Sequence, residues 1–383
     1  MASLQHKTVA LYFSNVNHYS LLELVLRCLK ELNCEVKLLL AEGLTQNVYA
    51  PSEVMLCKKV SNKNFVTSGI FEIFNTSDFV IIDELYSFRE LASFSTYDLK
   101  RPNIFLIHNC NSWLAPKTPK GIIRKVKNLM TKQIAKKVGY FGVAGENMLK
   151  FCKTALGVKN VTLVPFRYAD FNPAVDLPNE FYKPGTPIRM VVPGMISKRR
   201  NYEELLNAVC RENLKGKVEL ILLGKPDGEY GQAIISSAKE LIRQGYLIQY
   251  WNHFIPNDIF DKEIKNAHIL FSYFESTYTT NNGQIEVYGI SKETGIASLM
   301  LNKAKVGLLP SEFDQMYTIE EQTLTYKCMD DVGGILSSAF YGALDIARKI
   351  NVAIRNAESM DFMQIVRNLD ESYKEQTEGL SSI

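Results

Sequence analysis

The sequence predicts an α/β fold with two doubly wound, Rossmann-like parallel-sheet domains, followed by a helical C-terminal tail. Short apolar runs alternate with amphipathic runs along the chain, which is the pattern of βαβ units and therefore of parallel sheets. The alternation pauses at a polar, proline-containing stretch, DLPNEFYKPGTP (176–187), and then begins again. The 383 residues, 46% of them apolar, are enough for two cores of this kind.

The first half of the chain alternates strands with helices. Its predicted strands are 7–13, 35–42, 77–83, 103–109, 139–145 and 160–166. Its predicted helices are 19–32, a short one near Phe88–Phe94, and a basic one at 120–138 whose apolar face holds Ile122, Val126, Leu129, Met130 and Ile134. This order predicts a first domain at 1–180.

The second half repeats the pattern. Its predicted strands are 188–194, 217–224, 246–251 and 268–274, and its predicted helices are 201–213, 233–245 and 255–267. Asn201 is placed as an N-cap, with Glu204 as its capping-box partner. The stretch VYGISKETGIASLMLNKAKVGLLP (287–310) adds a helix and a strand, and 336–377 reads as helical with no strand signal. We expect a second domain at 181–350 and, at 351–383, helices that cross back to the first domain.

Composition excludes several classes of protein. The sequence contains no apolar run of about 18 residues and no signal-peptide pattern at its amino terminus, so no membrane-spanning helix is expected. Seven cysteines are scattered without a CxxC pair, which is typical of reduced thiols in a cytoplasmic protein. No Asp-x-Asp motif or ligand-spaced His/Cys cluster occurs, so no metal is expected. The first strand is followed by SNVNHYS (14–20), which lacks a GxGxxG motif and disfavours a nicotinamide cofactor.

Positive charge is concentrated in one window. Between Asp98 and Glu146 there are ten Lys or Arg residues and no acid, although the net charge of the whole chain is only +3. Such a window predicts an anionic partner for one face. Helix 120–138 suits peripheral contact with an anionic membrane or with a lipid-diphosphate acceptor. Its lysines are equally compatible with simple solvation, and its lack of interleaved aromatic residues argues against nucleic acid.

A second basic group lies where a parallel strand gives way to a helix. Gly194 ends a predicted strand, and a basic run comes just before the next helix: Lys198, Arg199 and Arg200. Ligands bind at the carboxyl ends of parallel strands, and helix amino termini favour anions. The run therefore predicts a phosphate site, with a solvated basic turn as the alternative.

The stretch at 287–310 offers another anion site. Ser291 is a natural N-cap for a helix that begins at Lys292. We expect Lys292 and the first-turn N–H groups, including that of Thr294, to bind a diphosphate, and Glu293 to bind ribose hydroxyls. Glu293 also suits a helix start by its charge alone, which is the simpler explanation for that one residue.

These segments resemble a known family. PGMISKRRNYEELLNAV, KVELILLG, AHILFSYFES and EVYGISKETGIASLMLNKAKVGLLPSEF resemble, in order and spacing, the carboxyl domain of GT-B glycosyltransferases, and most of all the large retaining group called family 4. In the first half, the IHN that contains His108 and the segment VPFRYADFNP are similar to that family too. The resemblance covers nearly the whole chain.

The resemblance implies roles for single residues. Arg200 matches the basic residue that holds the donor diphosphate, with Lys198 and Arg199 nearby. Glu286 and Glu293 match the paired glutamates, the first facing the donor sugar and the second binding the ribose.

Two further positions follow from the same resemblance. His108 matches a histidine near the sugar and the acceptor, and residues 251–255 match the peptide that passes under the nucleotide base. The chain also departs from the family pattern. Six residues separate Glu286 from Glu293 where the family has seven, and Met195 stands where the family often has Arg or Lys.

The implied function is a cytoplasmic, metal-independent, retaining glycosyltransferase that takes a nucleoside-diphosphate sugar as donor. Its acceptor would be a glycan or a lipid-linked molecule, bound by the first domain, and the setting would be assembly of a polysaccharide or glycolipid. Two alternatives stay open. One is a non-catalytic subunit that supports a catalytic partner. The other is a nucleotide-sugar epimerase, for which Asp83 and Glu84 after a strand are candidate acids.

Overall fold

The chain forms two compact units. A computed structural model describes residues 3–14, 19–41, 54–60, 69–85, 87–115, 121–164, 171–173, 177, 182–280, 283–313 and 319–381. Unit 1 comprises Met1–Tyr168, Thr277–Glu293 and Asp361–Ile383, and unit 2 comprises Ala169–Ser276 and Thr294–Met360. Three predicted features lie outside the described residues in whole or in part: SNVNHYS, VPFRYADFNP and the proline-containing stretch at 176–187.

Unit 1 is built on a seven-stranded parallel sheet with the order β3-β2-β1-β4-β5-β6-β7. Numbered along the chain, its strands are β1 (Thr8–Phe13), β2 (Glu35–Ala41), β3 (Val54–Val60), β4 (Phe79–Ile82), β5 (Asn103–Ile107), β6 (Tyr140–Val143) and β7 (Val161–Leu163). Both faces of the sheet are buried: Val9, Leu11 and Phe13 pack on one side, and Ala10 and Tyr12 pack on the other. This two-sided burial explains why the strands read as continuous apolar runs.

Helices cover both faces of this sheet. They are α1 (Tyr19–Glu31), α2 (Ile70–Asn75), α3 (Phe88–Thr96), α4 (Cys110–Leu114), α5 (Ile122–Ala135), α6 (Glu146–Thr154) and α13 (Phe362–Ser381). Helices α1 and α13 pack on the face of Val9, where Leu369 is fully buried. The last helix of the described chain is therefore part of the core of unit 1.

Unit 2 is built on a six-stranded parallel sheet with the order β10-β9-β8-β11-β14-β15. Its strands are β8 (Ile188–Pro193), β9 (Val218–Leu223), β10 (Leu247–Tyr250), β11 (Ile269–Phe271), β14 (Val306–Pro310) and β15 (Thr323–Tyr326). Its helices are α7 (Tyr202–Arg211), α8 (Gly228–Arg243), α9 (Asn257–Lys265), α10 (Gly295–Asn302), α11 (Met329–Phe340) and α12 (Ile346–Glu358). Of the two final helices, α12 belongs to unit 2 and α13 to unit 1.

One further segment belongs to unit 1 although its chain neighbours belong to unit 2. Strands β12 (Thr277–Thr279) and β13 (Ile285–Val287) form an antiparallel hairpin, and the chain continues to Glu293 before it returns to unit 2. We call residues 277–293 the strap.

The predicted alternation of strands and helices is confirmed, with corrections. The sequence did not predict β3, β15 or the hairpin of the strap, nor the short helices α2, α4 and α6. Helix α8 begins at Gly228 rather than at 233, because two glycines in its first turns weaken the helix signal. The capping box at Asn201 is wrong. Asn201 does precede α7, but its backbone is left-handed (φ 45°) and its side chain makes no capping bond.

The apolar residues of the basic helix α5 divide between core and solvent. Ile134 is fully buried, whereas Ile122 is 81% exposed and Leu129 is 58% exposed. Ile123 is also 71% exposed. The helix therefore carries large apolar side chains on its solvent side.

The structure bears on two sequence predictions, those on membrane-spanning helices and on the cysteine thiols. In the described part of the chain, no helix is both long and apolar enough to cross a membrane. The six cysteines described there are free thiols, and the sulfur atoms of Cys110 and Cys152 are 3.4 Å apart.

A histidine in unit 2 makes the stability of this unit depend on pH. Nδ1 of His268 accepts a hydrogen bond of 3.0 Å from the backbone N–H of Arg189. Burial, assisted by the positive charges of Lys305 and Arg189, lowers the pKa of His268 to about 4. The unfolded chain takes up this proton near pH 6.5, so folding is penalised as the pH falls from there towards 4.

We therefore expect acidification from pH 7 to pH 5 to cost unit 2 about 2 kcal/mol through this group. His268→Asn keeps an acceptor for the Arg189 N–H and cannot be protonated, so it should lose less stability over the same range. Urea unfolding of both proteins at the two pH values measures the difference. Equal losses would contradict the assignment.

Candidate functional site

Polar side chains gather at the carboxyl edge of the unit 1 sheet. Asp83 and Glu84 follow β4, and His108 and Asn109 follow the neighbouring strand β5. All four are buried. Because adjacent parallel strands end at the same edge, these groups are brought together by the sheet itself.

Glu84 is the acceptor around which this edge is arranged. Its Oε2 accepts the backbone N–H of His108 (3.0 Å), and both oxygens accept the side-chain amide of Asn109 (3.0 and 3.1 Å). Its Oε1 also accepts the indole N–H of Trp113 in α4 (2.7 Å). A carboxylate bonded in this way is stabilised although it is out of water, so its role is structural.

His108 is held by the other acid. Its Nε2 lies 3.1 Å from Oδ1 of Asp83, which is completely buried. The contact fixes the orientation of the imidazole ring. An imidazole held in this way at a strand end can bind a hydroxyl group or exchange a proton with it.

The strap brings a third carboxylate to the same edge. Glu286, completely buried, accepts the backbone N–H groups of Asn111 (3.1 Å) and Ser112 (2.7 Å) and the hydroxyl of Ser291 (2.7 Å). Burial raises the pKa of Glu286, and these hydrogen bonds oppose that rise. Glu286 therefore lies at the amino terminus of α4, within unit 1.

Lys292 of the strap lies beside these acids. Its Nζ donates to Oδ1 of Asn109 (2.8 Å) and is 5.2 Å from the centre of the Tyr278 ring. Burial lowers the pKa of Lys292, against the attraction of Glu84 and Glu286. The strap thus places a partly buried amine at an edge that holds three carboxylates.

The predicted helix start at Ser291 is wrong. Helix α10 begins at Gly295 with Thr294 as its N-cap residue, and the side chain of Thr294 makes no capping bond. The Ser291 hydroxyl is instead engaged within the strap, where it accepts the N–H of Val287 (2.8 Å) and donates to Glu286. Lys292 forms an isolated β-bridge with Asn109, which keeps it extended.

The predicted residues are consequently divided between the two units. His108, Glu286, Ser291, Lys292 and Glu293 belong to unit 1. The remaining ones belong to unit 2: Gly194, Lys198, Arg199, Arg200 and Thr294.

In unit 2, the basic run forms a 3₁₀ turn after β8. Lys198 and Arg199 are exposed, and Nη1 of Arg200 donates to the carbonyl of Pro193 at the end of the strand (2.6 Å). Gly194 has a φ of 99°, and a Cβ atom at this position would lie 2.7 Å from Nη2 of Arg200. The Tyr202 hydroxyl donates to the Gly194 carbonyl (3.1 Å). The guanidinium is therefore held against the carboxyl edge of the sheet.

A metal site would need several His, Cys, Asp or Glu side chains close together. Among the residues that the structure describes, no group of three or more His, Cys, Asp or Glu could hold a metal ion.

Comparison with known proteins gives the fold. No family model matches the sequence, and no curated protein matches it. Solved structures do match over nearly the full length of both chains. A glycosyltransferase from Rickettsia africae is similar with a TM-score of 0.64 and 14% identity, over 96% of this chain and 98% of that one.

Two further structures agree. Anabaena HepE, solved in complex with UDP and glucose, is similar with a TM-score of 0.61 and 11% identity, over 99% of this chain and all of that one. The sucrose-phosphate synthase of Thermosynechococcus elongatus is similar with a TM-score of 0.62 and 12% identity, over 97% of this chain and all of that one. The fold is GT-B. The fold class predicted from the sequence is thereby confirmed.

Within this GT-B fold, some site residues had no clear sequence signal. Asn109 was the last residue of the predicted strand 103–109 and Trp113 lay outside every predicted element, so the sequence did not indicate that both hold Glu84. A usable signal was present in Asp83 and Glu84, because two acids directly after a buried strand must lie at the carboxyl edge of a parallel sheet.

We expect Glu84→Gln to destabilise unit 1 by about 3 kcal/mol, because an amide cannot accept from all of these donors and leaves some of them unpaired. Trp113 reports the change directly. The chain has two tryptophans, so in a Trp251→Phe background Trp113 is the remaining one, and its emission maximum should shift as the indole N–H loses its carboxylate partner.

The matched control is Glu371→Gln, an exposed carboxylate in α13 of the same unit. It should leave both the unfolding midpoint and the Trp113 emission unchanged. If Glu84→Gln behaves like this control, Glu84 does not organise the edge.

Proposed function

We propose that the protein is a glycosyltransferase that moves a sugar from a nucleoside-diphosphate sugar to an acceptor, without a metal and with retention of anomeric configuration. The observation that carries the proposal is the 3₁₀ turn of unit 2, in which Arg200 is held at the carboxyl edge of a parallel sheet beside the exposed Lys198 and Arg199. This is the edge at which α/β folds bind nucleotides. The similarity to HepE, whose structure holds UDP and glucose, supports the proposal of a nucleotide-sugar donor.

The donor diphosphate would bind at this turn. A guanidinium carries five N–H donors, and the hydrogen bond from Arg200 to the Pro193 carbonyl uses one of its nitrogens, so the group can still bind phosphate oxygens. We place the N–H groups around Thr294, at the start of α10, with the same donor, and Glu293 with the ribose. The positive groups would stabilise the leaving diphosphate as negative charge develops on it.

The acceptor hydroxyl would bind in unit 1, at the His108–Asp83 pair. In unit 1, His108 would hold the hydroxyl, and Asp83 would fix the orientation of the ring. Retention needs no protein nucleophile here if the departing diphosphate takes the proton of the incoming hydroxyl. The protein then contributes positioning and electrostatic stabilisation.

Calorimetric titration in EDTA with UDP, GDP, ADP, CMP and dTDP tests the donor site. We expect micromolar binding of one nucleotide, and a loss of about tenfold or more in Arg200→Ala, since a charge-assisted bond to phosphate contributes about 1.5–3 kcal/mol. Lys215→Ala, also a cation of unit 2 but outside the 3₁₀ turn, is the matched control and should bind normally.

Each alternative has its own signature in these experiments. Absence of binding by every nucleotide would favour a non-catalytic subunit. Conversion of the nucleotide sugar into an epimer without any acceptor would favour the epimerase. Loss of binding in EDTA with recovery on adding Mg²⁺ would contradict metal independence.

We further propose that unit 1 docks on an anionic membrane surface through α5, at the cytoplasmic face, which would give access to a lipid-linked acceptor and fit assembly of a polysaccharide or glycolipid. The observation that favours it is the combination of exposed Ile122, Ile123 and Leu129 with the exposed cations Arg124 and Lys125. Apolar side chains that enter the headgroup layer and cations that meet anionic lipids are the two components of peripheral binding.

The double substitution of Ile122 and Ile123 by Ser should weaken binding to vesicles of phosphatidylcholine with 30% phosphatidylglycerol by tenfold or more, because two half-inserted isoleucines contribute about 1.5–3 kcal/mol. Co-sedimentation at low and high salt measures it. Ile242→Ser, which alters an exposed isoleucine of unit 2, is the control. Equal binding by wild type to vesicles of phosphatidylcholine alone, or no binding to either kind, would contradict docking through α5.

A further inference from the structure

Glu286 occupies a position that its resemblance to the family did not suggest. It is completely buried, and its carboxylate accepts from two consecutive backbone N–H groups, those of Asn111 and Ser112, at the first turn of α4. Asn109, the N-cap residue of α4, makes no capping bond with its own side chain. Glu286 thus supplies, from 174 and 175 residues further along the chain, the cap that the local sequence lacks.

Further bonds join the strap to the same turn. The side-chain amide of Asn111 donates to the carbonyl of Ile285 (2.9 Å), and the backbone N–H of Cys110 donates to the carbonyl of Ser291 (2.9 Å). Lys292 donates to Asn109. Each residue from Asn109 to Ser112 is therefore bonded to the strap, and Glu286 is the charged group at the centre of this contact.

A role in direct sugar binding conflicts with this arrangement. For the carboxylate to reach a ligand, it would have to give up its bonds to α4, and the N–H group of the buried Ser112 would lose its partner. Asn109 follows His108 directly and is itself bonded to Glu84, so a change at the first turn of α4 is transmitted to His108.

We propose that Glu286 is a positioning residue: by capping α4 it docks the strap, and it thereby holds Asn109, His108 and Lys292 in place for the acceptor. This inference rests on the proposed transferase function for its catalytic consequence, but its structural part is independent of that function.

Hydrogen exchange followed by mass spectrometry tests the structural part. In Glu286→Gln the amides of residues 110–112 should exchange about tenfold faster, the factor that corresponds to the loss of one charge-assisted hydrogen bond. Peptides from β5 should exchange as in wild type. Glu275→Gln, an exposed carboxylate just before the strap, makes the same chemical change outside the contact and should have no effect.

A milder variant keeps the test usable if Glu286→Gln does not fold. Ser291→Ala removes the hydroxyl that donates to Glu286 and should accelerate exchange of the same amides by a smaller factor. Unchanged exchange at residues 110–112 in a folded Glu286→Gln, or in Ser291→Ala where that variant must be used, would overturn the proposal.

The catalytic part is tested with UDP and UDP-glucose as probes. A positioning role predicts that Glu286→Gln lowers kcat of sugar transfer while the affinities for UDP and for UDP-glucose stay in their wild-type ratio. A selective loss of UDP-glucose affinity would show that Glu286 contacts the donor sugar and would overturn the proposal. A wild-type protein that binds none of the five nucleotides and transfers no sugar would count against the proposed function, whereas the exchange experiment would still decide whether Glu286 caps α4.

Discussion

A carboxylate removed from water needs donors around it, and at the edge of the unit 1 sheet Glu84 collects them from two different elements. The sheet sets the position of Glu84 just after β4, so the hydrogen-bond donors must be supplied by neighbouring elements. The end of β5 contributes a backbone N–H and the amide of Asn109, and α4 contributes the indole of Trp113. Satisfying this one charge therefore fixes the turn between β5 and α4.

The other contacts of the edge follow from that turn. With its backbone bonded to Glu84, His108 places its ring against Asp83. With its amide nitrogen on Glu84, Asn109 turns its oxygen towards Lys292. The same side chain thus bridges a buried acid and a partly buried amine, which reduces the free-energy cost of removing either charge from water. Glu286 acts further along the same turn, where it accepts the N–H groups of Asn111 and Ser112 in α4.

The sequence revealed what depends on local pattern and missed what depends on distant partners. The strands could be predicted because two-sided burial leaves continuous apolar runs. The position of Gly194 at the end of a strand could be predicted because the glycine follows such a run. Helix α4 could not be predicted, since five residues carry too little periodicity and its cap comes from the strap. The helix start at Ser291 was misplaced for the same reason: a serine before an apolar run is a good N-cap locally, but this one bonds to Glu286 and Val287 instead.

The basic turn of unit 2 shows how a single glycine can serve two requirements at once. Gly194 adopts a φ of 99°, a conformation that costs a residue with a side chain a kcal/mol or more, and its missing Cβ leaves the space into which the Arg200 guanidinium fits. A side chain at this position would be strained by the backbone and would also collide with Arg200. The placement of the guanidinium at the carboxyl edge is therefore specified by the backbone of the preceding strand end rather than by the packing of Arg200 itself. The position of Arg200 therefore follows from a local pattern in the sequence, whereas the position of Glu286 depends on a contact between residues far apart in the chain.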